Sequence, residues 1–329
     1  MRDRWRRAGP ARRRRPTRSV VPWAVAVVAL LAVAVAGTLL LLPNRPAPPV
    51  PPTAPTRVLV GAALHDNGDP AALEREAGTH LEIRRTYWGR DSLEASVAVA
   101  RADLAAGRVP LLSYKVGDWR AAGDGRLDGW ARSAARQLSA LGGTVMVAIH
   151  HEPEGDGDIR LWTRMQQRLA PFFDRPHLRY GVILTGYAQV NGPPRYALPS
   201  LWPNGAPIRF LGLDLYQPYG TVDRHTGAEV TRWTDLASTY FPQVERFARS
   251  KHVAWGIAET GLTDRAFAQG PSARQWFSST VEAVSRWGGS FFVYFDSAQN
   301  SGRNTWPLHG GKRAAFLRVL DRAPVVAGS

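Results

Sequence analysis

From residue 57 onward, short apolar runs rich in β-branched and aromatic residues alternate with longer stretches in which apolar positions return every three or four residues. The runs Val58–Leu64, Leu81–Thr86, Val109–Lys115, Thr144–His150, Tyr180–Thr185, Arg209–Asp214, Val253–Ala258 and Gly289–Phe295 predict eight strands. Helical spacing fills most of the intervals, in Pro70–Ala77, Ser92–Ala106, Leu127–Leu141, Ile159–Leu169, Thr234–Ser250 and Pro271–Trp287, and returns after the last strand in Gly311–Asp321. Only the stretch after Tyr180–Thr185 lacks a clear helical pattern. Parallel neighbours need a crossover, so strands alternating with helices form βαβ units. Eight units in about 270 residues fit an α/β fold of the (β/α)8 TIM-barrel type. The rival, an open doubly wound sheet, carries a Gly-rich phosphate turn after its first strand, and GAALHDNGD at residues 61–69 is no such turn.

The pattern before residue 57 is different. Residues 20–42, VVPWAVAVVALLAVAVAGTLLLL, contain no charge and are long enough as a helix to cross a hydrocarbon core of roughly 30 Å. The arginine block ahead of this run predicts a transmembrane anchor with a cytoplasmic tail over residues 1–19 and everything after it outside the cell membrane. A cleaved secretory signal is the rival reading, with Ala34-Val35-Ala36 as the small-residue cleavage pattern, but the apolar run exceeds the usual h-region of about 7–15 residues. Residues 43–56, half of them proline, predict an extended polyproline II spacer. Residues 57–329 show no second linker and no repeat, and are expected to form one domain that acts as a monomer.

Charge and composition narrow the function. The chain of 329 residues carries a formal +15, but residues 1–18 hold nine arginines against one aspartate, so residues 19–329 retain only +7. A charge of that size calls for no nucleic-acid partner. The absence of cysteine excludes disulfides, thiol nucleophiles and Cys-ligated zinc.

In a barrel of this kind the reacting groups sit at the C-terminal ends of the strands. The fourth predicted strand ends VMVAIHHEPEG, which puts His150, His151, Glu152 and Glu154 at the rim, and the seventh ends VAWGIAETG, which puts Glu259 there. Two carboxyl groups over one mouth are what cleavage of a glycosidic bond requires: one protonates the leaving oxygen while the other attacks or activates water. Glu154 is open to two readings, as a substitute acid or as a surface or substrate-hydroxyl contact. His65, His150 and His151 beside Glu152 admit a metal-dependent hydrolase, although no spaced ligand motif is present. A non-catalytic glycan-binding protein on the same fold is the further alternative. No cofactor or metal is expected.

HHEPEG at the end of strand four together with IAETG at the end of strand seven resembles glycoside hydrolase family 26, the mannanase-like branch of the retaining (β/α)8 superfamily. The resemblance implies Glu152 as general acid/base, Glu259 as nucleophile, His151 as the His of a His-Glu pair, and Tyr216 in LGLDLYQPYG as an aromatic hydroxyl contacting the nucleophile, with Asp214 beside it. It also implies a polysaccharide substrate of the mannan-like, β-linked class. The sequence departs from the family where Pro153, Glu154 and Gly155 follow the acid in place of Met-Asn-Gly, and where Tyr294, Phe295 and Asp296 replace a Trp near the end of strand eight. Aromatic faces stack on pyranose rings, so Trp88, Trp119, Trp162, Tyr294 and Trp306 are expected in the sugar subsites, with Tyr87, Tyr114, Tyr187 and Tyr219 as further candidates. Arg84 and Arg85 on strand two are expected to pair with strand-end acids more readily than with sugar hydroxyls.

Overall fold

A computed structural model describes residues 55–223, 226–299 and 305–322. The expected cytoplasmic tail, membrane segment and all but the end of the proline-rich spacer lie outside the described residues. Among the described residues no helix is long and apolar enough to cross a membrane.

Eight parallel strands close into a barrel in sequence order: β1 (Leu59–Leu64), β2 (Ile83–Gly89), β3 (Val109–Lys115), β4 (Val145–Ile149), β5 (Leu178–Thr185), β6 (Phe210–Asp214), β7 (Ala254–Thr260) and β8 (Phe291–Asp296), with β8 pairing back to β1. All eight predicted strands are present. Helices Ala71–Ala77, Leu93–Ala105, Asp128–Ser139, Ile159–Leu169, Leu236–Ser250, Trp276–Arg286 and Gly310–Arg322 occupy the predicted intervals. After β5, where no helical period is legible, the chain makes the short helices Gly186–Asn191 and Leu198–Leu201 with a 3-10 turn at Pro194–Tyr196 between them. Helix starts follow the local chemistry: Asp158 and Asp235 accept hydrogen bonds from the backbone N–H of Arg160 and Ala237, satisfying donors that the first turn leaves free.

Alternation along the strands sorts the side chains into two cores. Ala63, Ile83, Leu111, Met146, Ala148, Ile183, Phe210, Ala258, Phe291 and Val293 fill the barrel, and the opposite parity packs with the helices. On β2 the inward set is Ile83, Arg85 and Tyr87, while Arg84 turns out to Asp103 on the helix Leu93–Ala105.

Two departures from strict alternation shape the mouth. Between β6 and β7 the register steps from Leu213↔Ile257 to Asp214↔Glu259, so β7 carries one extra residue there. Simple alternation after the inward Ala258 would send Glu259 toward the helices, but the bulge rotates it to the side of Asp214. At the end of β4, His150 and Glu152 take left-handed backbone angles, with φ of 53° and 50°. Such angles are costly for residues with a Cβ and occur where surrounding contacts enforce them. They turn His150 toward Trp119 on the outside and His151 toward Tyr87 on the inside.

Candidate active site

The floor of the mouth is an ion pair spanning the barrel. Arg85 of β2 donates from Nη1 and Nη2 to the two carboxylate oxygens of Asp214 on β6, at 2.6 and 3.1 Å, and from Nε to Ser113 Oγ on β3 at 3.0 Å. Both charged side chains are fully buried. Burial alone would favour loss of the Arg85 proton, but the charges of Asp214 and Glu259 outweigh it and hold the guanidinium protonated.

Glu259 sits above this pair. Tyr87 donates its hydroxyl proton to Oε2, Tyr216 donates to Oε1, and Arg85 Nη1 lies 3.3 Å from Oε2. Both carboxylate oxygens are thus engaged by groups from β2 and from the loop after β6. Gly261, the last residue of the IAETG motif, makes the Tyr216 placement possible: a Cβ there would stand 2.6 Å from a Tyr216 ring carbon and 2.7 Å from Trp306, whose ring packs on Tyr216 at 4.7 Å.

Glu152 lies three strands away around the ring, anchored by its backbone N–H to Ile183 O at 2.9 Å. Burial, and next the charge of Glu259, push its carboxyl up to about 7. Its side chain touches Thr185 Oγ1 at 3.4 Å. Glu154 reaches back into the same corner, where its oxygens accept from Thr185 N at 3.0 Å, Thr185 Oγ1 at 3.3 Å and Gln189 Nε2 at 2.9 Å. It is therefore no loose surface carboxylate. His151 packs beside Tyr87, with ring centroids 5.6 Å apart, and its Nδ1 is buried with no hydrogen-bond partner among the described residues. Burial, with the charges of Arg85 and Lys115 behind it, keeps this imidazole neutral.

Several expected substrate contacts are elsewhere. Trp162 and Tyr294 are fully buried: Trp162 donates Nε1 to His150 O, and Tyr294, which shares its parity with Phe292, faces the helices and donates its hydroxyl to Trp306 O. Trp119 is buried behind His150, to which its Nε1 donates. Trp306 is buried against Tyr216 and supports it. Trp88 has the outward parity of β2, packs on the helix-side core and donates Nε1 to Thr86 Oγ1. Asp214 is committed to Arg85, as expected for an arginine on strand two, and Tyr114 is buried against Ser96. In each case the strand period or the helix layer, rather than residue type, decides which way the ring points. The three histidines weighed as a metal set do not converge, because His150 faces Val116 O, Trp119 and Asp156 while His65 faces Ser297.

Tyr87 and Phe295 line the inner mouth in edge contact at 6.3 Å, and Tyr216 meets Phe295 at 6.4 Å. Reading Tyr87 as a partner of Glu259 escapes a sequence-level analysis; the only signal is its parity with Arg85, two residues earlier on the same strand.

No protein-family model matches the chain, and no curated protein matches it. Solved structures do match its fold. Thermotoga maritima Cel5A, in complex with mannotriose, aligns over 80% of this chain and 97% of its own with 13% identity and a TM-score of 0.54. A broad-specificity GH5-4 endoglucanase from Bacteroides salanitronis covers 82% and 94% at 12% identity and a TM-score of 0.51. GH26C from Muricauda sp. covers 81% and 86% at 10% identity and a TM-score of 0.53. The structural neighbours are thus (β/α)8 glycoside hydrolases of families 26 and 5, and at these identities the likeness is one of fold.

Proposed function

We propose that the chain is a retaining β-glycoside hydrolase acting on a polysaccharide, with a mannan-like β-linked glycan as the substrate class. The observation that carries this reading is the contrast between two glutamates at one mouth. Glu259 is held by two tyrosine hydroxyls and a buried guanidinium, whereas Glu152 is pushed up to about 7 by burial and by Glu259 itself. The donors around Glu259 fix the direction of its oxygens, as an attacking group needs, and desolvation with a like charge favours the protonated form at Glu152, as a proton donor needs.

In the first step Glu259 attacks the anomeric carbon while Glu152 gives its proton to the glycosidic oxygen, so the C–O bond breaks and a glycosyl-enzyme ester forms. In the second step Glu152, now a carboxylate, takes a proton from water as that water releases the sugar. Tyr87 and Tyr216 limit rotation of Glu259, and Nδ1 of His151, without a partner among the described residues, offers a neutral hydrogen-bonding group to a sugar hydroxyl.

The domain is proposed to be tethered outside the cell by residues 20–42 through the proline-rich spacer. Support comes from where the chain enters the barrel. Thr56 bonds to the Ser285 and Gly289 carbonyls beside the start of β1, at the end of the barrel opposite the mouth.

The test is hydrolysis of activated aryl β-mannosides and β-glucosides, followed by a panel of β-glycans. Glu259→Ala and Glu152→Ala are each expected to abolish turnover. Azide is expected to rescue Glu259→Ala as a glycosyl azide of inverted configuration, and wild-type rates in both variants overturn the assignment. For the tether, protease added to intact cells should release the barrel domain and leave the arginine-rich tail protected; a tail that is cleaved as readily as the domain refutes the topology.

A further inference from the structure

Thr185 stands between two carboxyl groups, and a hydroxyl has one proton. Its Oγ1 lies 3.3 Å from Glu154 Oε2 and 3.4 Å from Glu152 Oε1. Donating to one of them leaves the other facing an oxygen lone pair, a contact that is favourable only if that carboxyl supplies a proton of its own. The two carboxyls are not equivalent. Glu154 also receives the Thr185 backbone N–H and the Gln189 amide, whereas the Glu152 carboxyl has no donor other than Thr185 among the described residues. Negative charge is best accommodated where the donors are, which is Glu154.

We propose that Glu154 is a positioning residue for Glu152, acting through the Thr185 hydroxyl: it carries the charge of the pair, so that Glu152 retains the proton that it donates to Thr185 Oγ1. This rests on the reading of Glu152 as the acid/base. The resting arrangement is a chain in which Glu152 O–H donates to Thr185 Oγ1 and Thr185 O–H donates to a Glu154 carboxylate oxygen. In the reaction the Glu152 proton leaves to the glycosidic oxygen and is restored from water in the second step, so Glu154 ends each cycle unchanged. Burial pushes both carboxyls up to about 7, in Glu154 even with the Thr185 hydrogen bonds acting downward, so it is the placement of the donors that assigns the first proton to leave the pair to Glu154. The other charges facing Glu152 are Glu259 on β7, Asp214 on β6, Arg85 on β2 and Lys115 on β3, with the neutral His151 adjacent; these are common to wild type and variants.

The experiment compares wild type, Glu154→Gln and Thr185→Val, each with and without Glu152→Gln, by two readouts: the pH profile of kcat/KM on a β-linked oligosaccharide, and a carboxyl infrared titration in which the difference made by Glu152→Gln isolates Glu152 in each background. Glu154→Gln keeps the hydrogen-bonding shape and removes the charge. Its alkaline limb and its Glu152 midpoint are both expected to fall by about one pH unit, and Thr185→Val is expected to move them in the same direction. The acid limb should stay at its wild-type position. A Glu152 midpoint unmoved by Glu154→Gln overturns the proposal whether or not the protein is active on the chosen glycan. Activity lost in Glu154→Gln but kept in Glu152→Gln overturns it by making Glu154 itself the acid. If Glu152→Gln and Glu259→Ala both hydrolyse at wild-type rate, the glycosidase reading fails separately, and the infrared shift still decides the coupling.

Discussion

Arg85 and Asp214 stand on strands four apart in an eight-membered ring, and they meet across the barrel axis in a two-pronged ion pair from which water is excluded. The same guanidinium nitrogen that reaches Asp214 also reaches Glu259, so the pair joins barrel stability to the site. Removing one member leaves a buried charge unmatched. Asp214→Ala is expected to cost about 3–5 kcal/mol in urea unfolding, and Arg85→Met, which deletes the charge but keeps volume, should lose activity as well as stability. An Asp214→Ala protein with wild-type urea midpoint would show that the pair is not closed in solution.

Tyr87→Phe and Tyr216→Phe each remove one proton donor from Glu259 and leave the ring in place. Each is expected to lower kcat by roughly tenfold to a hundredfold with little change in KM, because the lost contact orients the attacking oxygen rather than binding sugar. The double variant should fall short of the product of the two, since both act on one carboxylate. Steady-state kinetics on an aryl glycoside decides this; a selective rise in KM would instead place the hydroxyls on the substrate.

The raised Glu152 carboxyl has consequences for rate and for stability, and the signs differ from the usual salt-bridged acid. As the proposed acid Glu152 acts in its protonated form, so kcat/KM is expected to decline as pH rises through about 7. The folded protein holds this proton more tightly than the unfolded chain does, so stability is lost between the unfolded value, near 4.3, and about 7, and is flat above that. Glu152→Gln should therefore be more stable than wild type at pH 8, by about 1–3 kcal/mol, and show no such advantage at pH 4. Thermal unfolding at the two pH values provides the measurement.

Trp162 is a core residue whose indole N–H ties the helix Ile159–Leu169 to the backbone of His150. Trp162→Ala is expected to cost about 3–5 kcal/mol through the cavity it leaves, with activity falling only as the folded fraction falls. His151→Ala should do the reverse, raising KM severalfold with little effect on the unfolding midpoint. If Trp162→Ala instead weakens glycan binding in a fully folded protein, the burial argument is wrong.

The barrel was legible because most strands announce themselves twice, by a β-branched run and by a helical period beside it, and these local signals agree with the closed order of eight parallel strands. The helix-poor stretch after β5 was legible for the same reason, by the absence of a period. Glu152, Glu259 and Tyr216 could be singled out because polar residues directly following an apolar strand have one place to go in such a fold. Which aromatic rings face the mouth was not legible. Trp88 and Tyr294 follow apolar runs just as Tyr87 and Phe295 do, and only the two-residue period of the barrel wall sends one of each pair outward.

Residue order by itself determined the architecture and the strand ends that supply carboxyl groups, since both depend on interactions among near neighbours in the chain. Tertiary structure alone decided the rest: the extra residue in β7 that turns Glu259 inward, the left-handed angles that aim His151 at Tyr87, the Arg85–Asp214 pair, and the Thr185 hydroxyl shared by Glu152 and Glu154. Each of these joins groups from different strands or shifts a register by one position, and a one-residue shift reverses the direction of a side chain without leaving a mark on composition or periodicity.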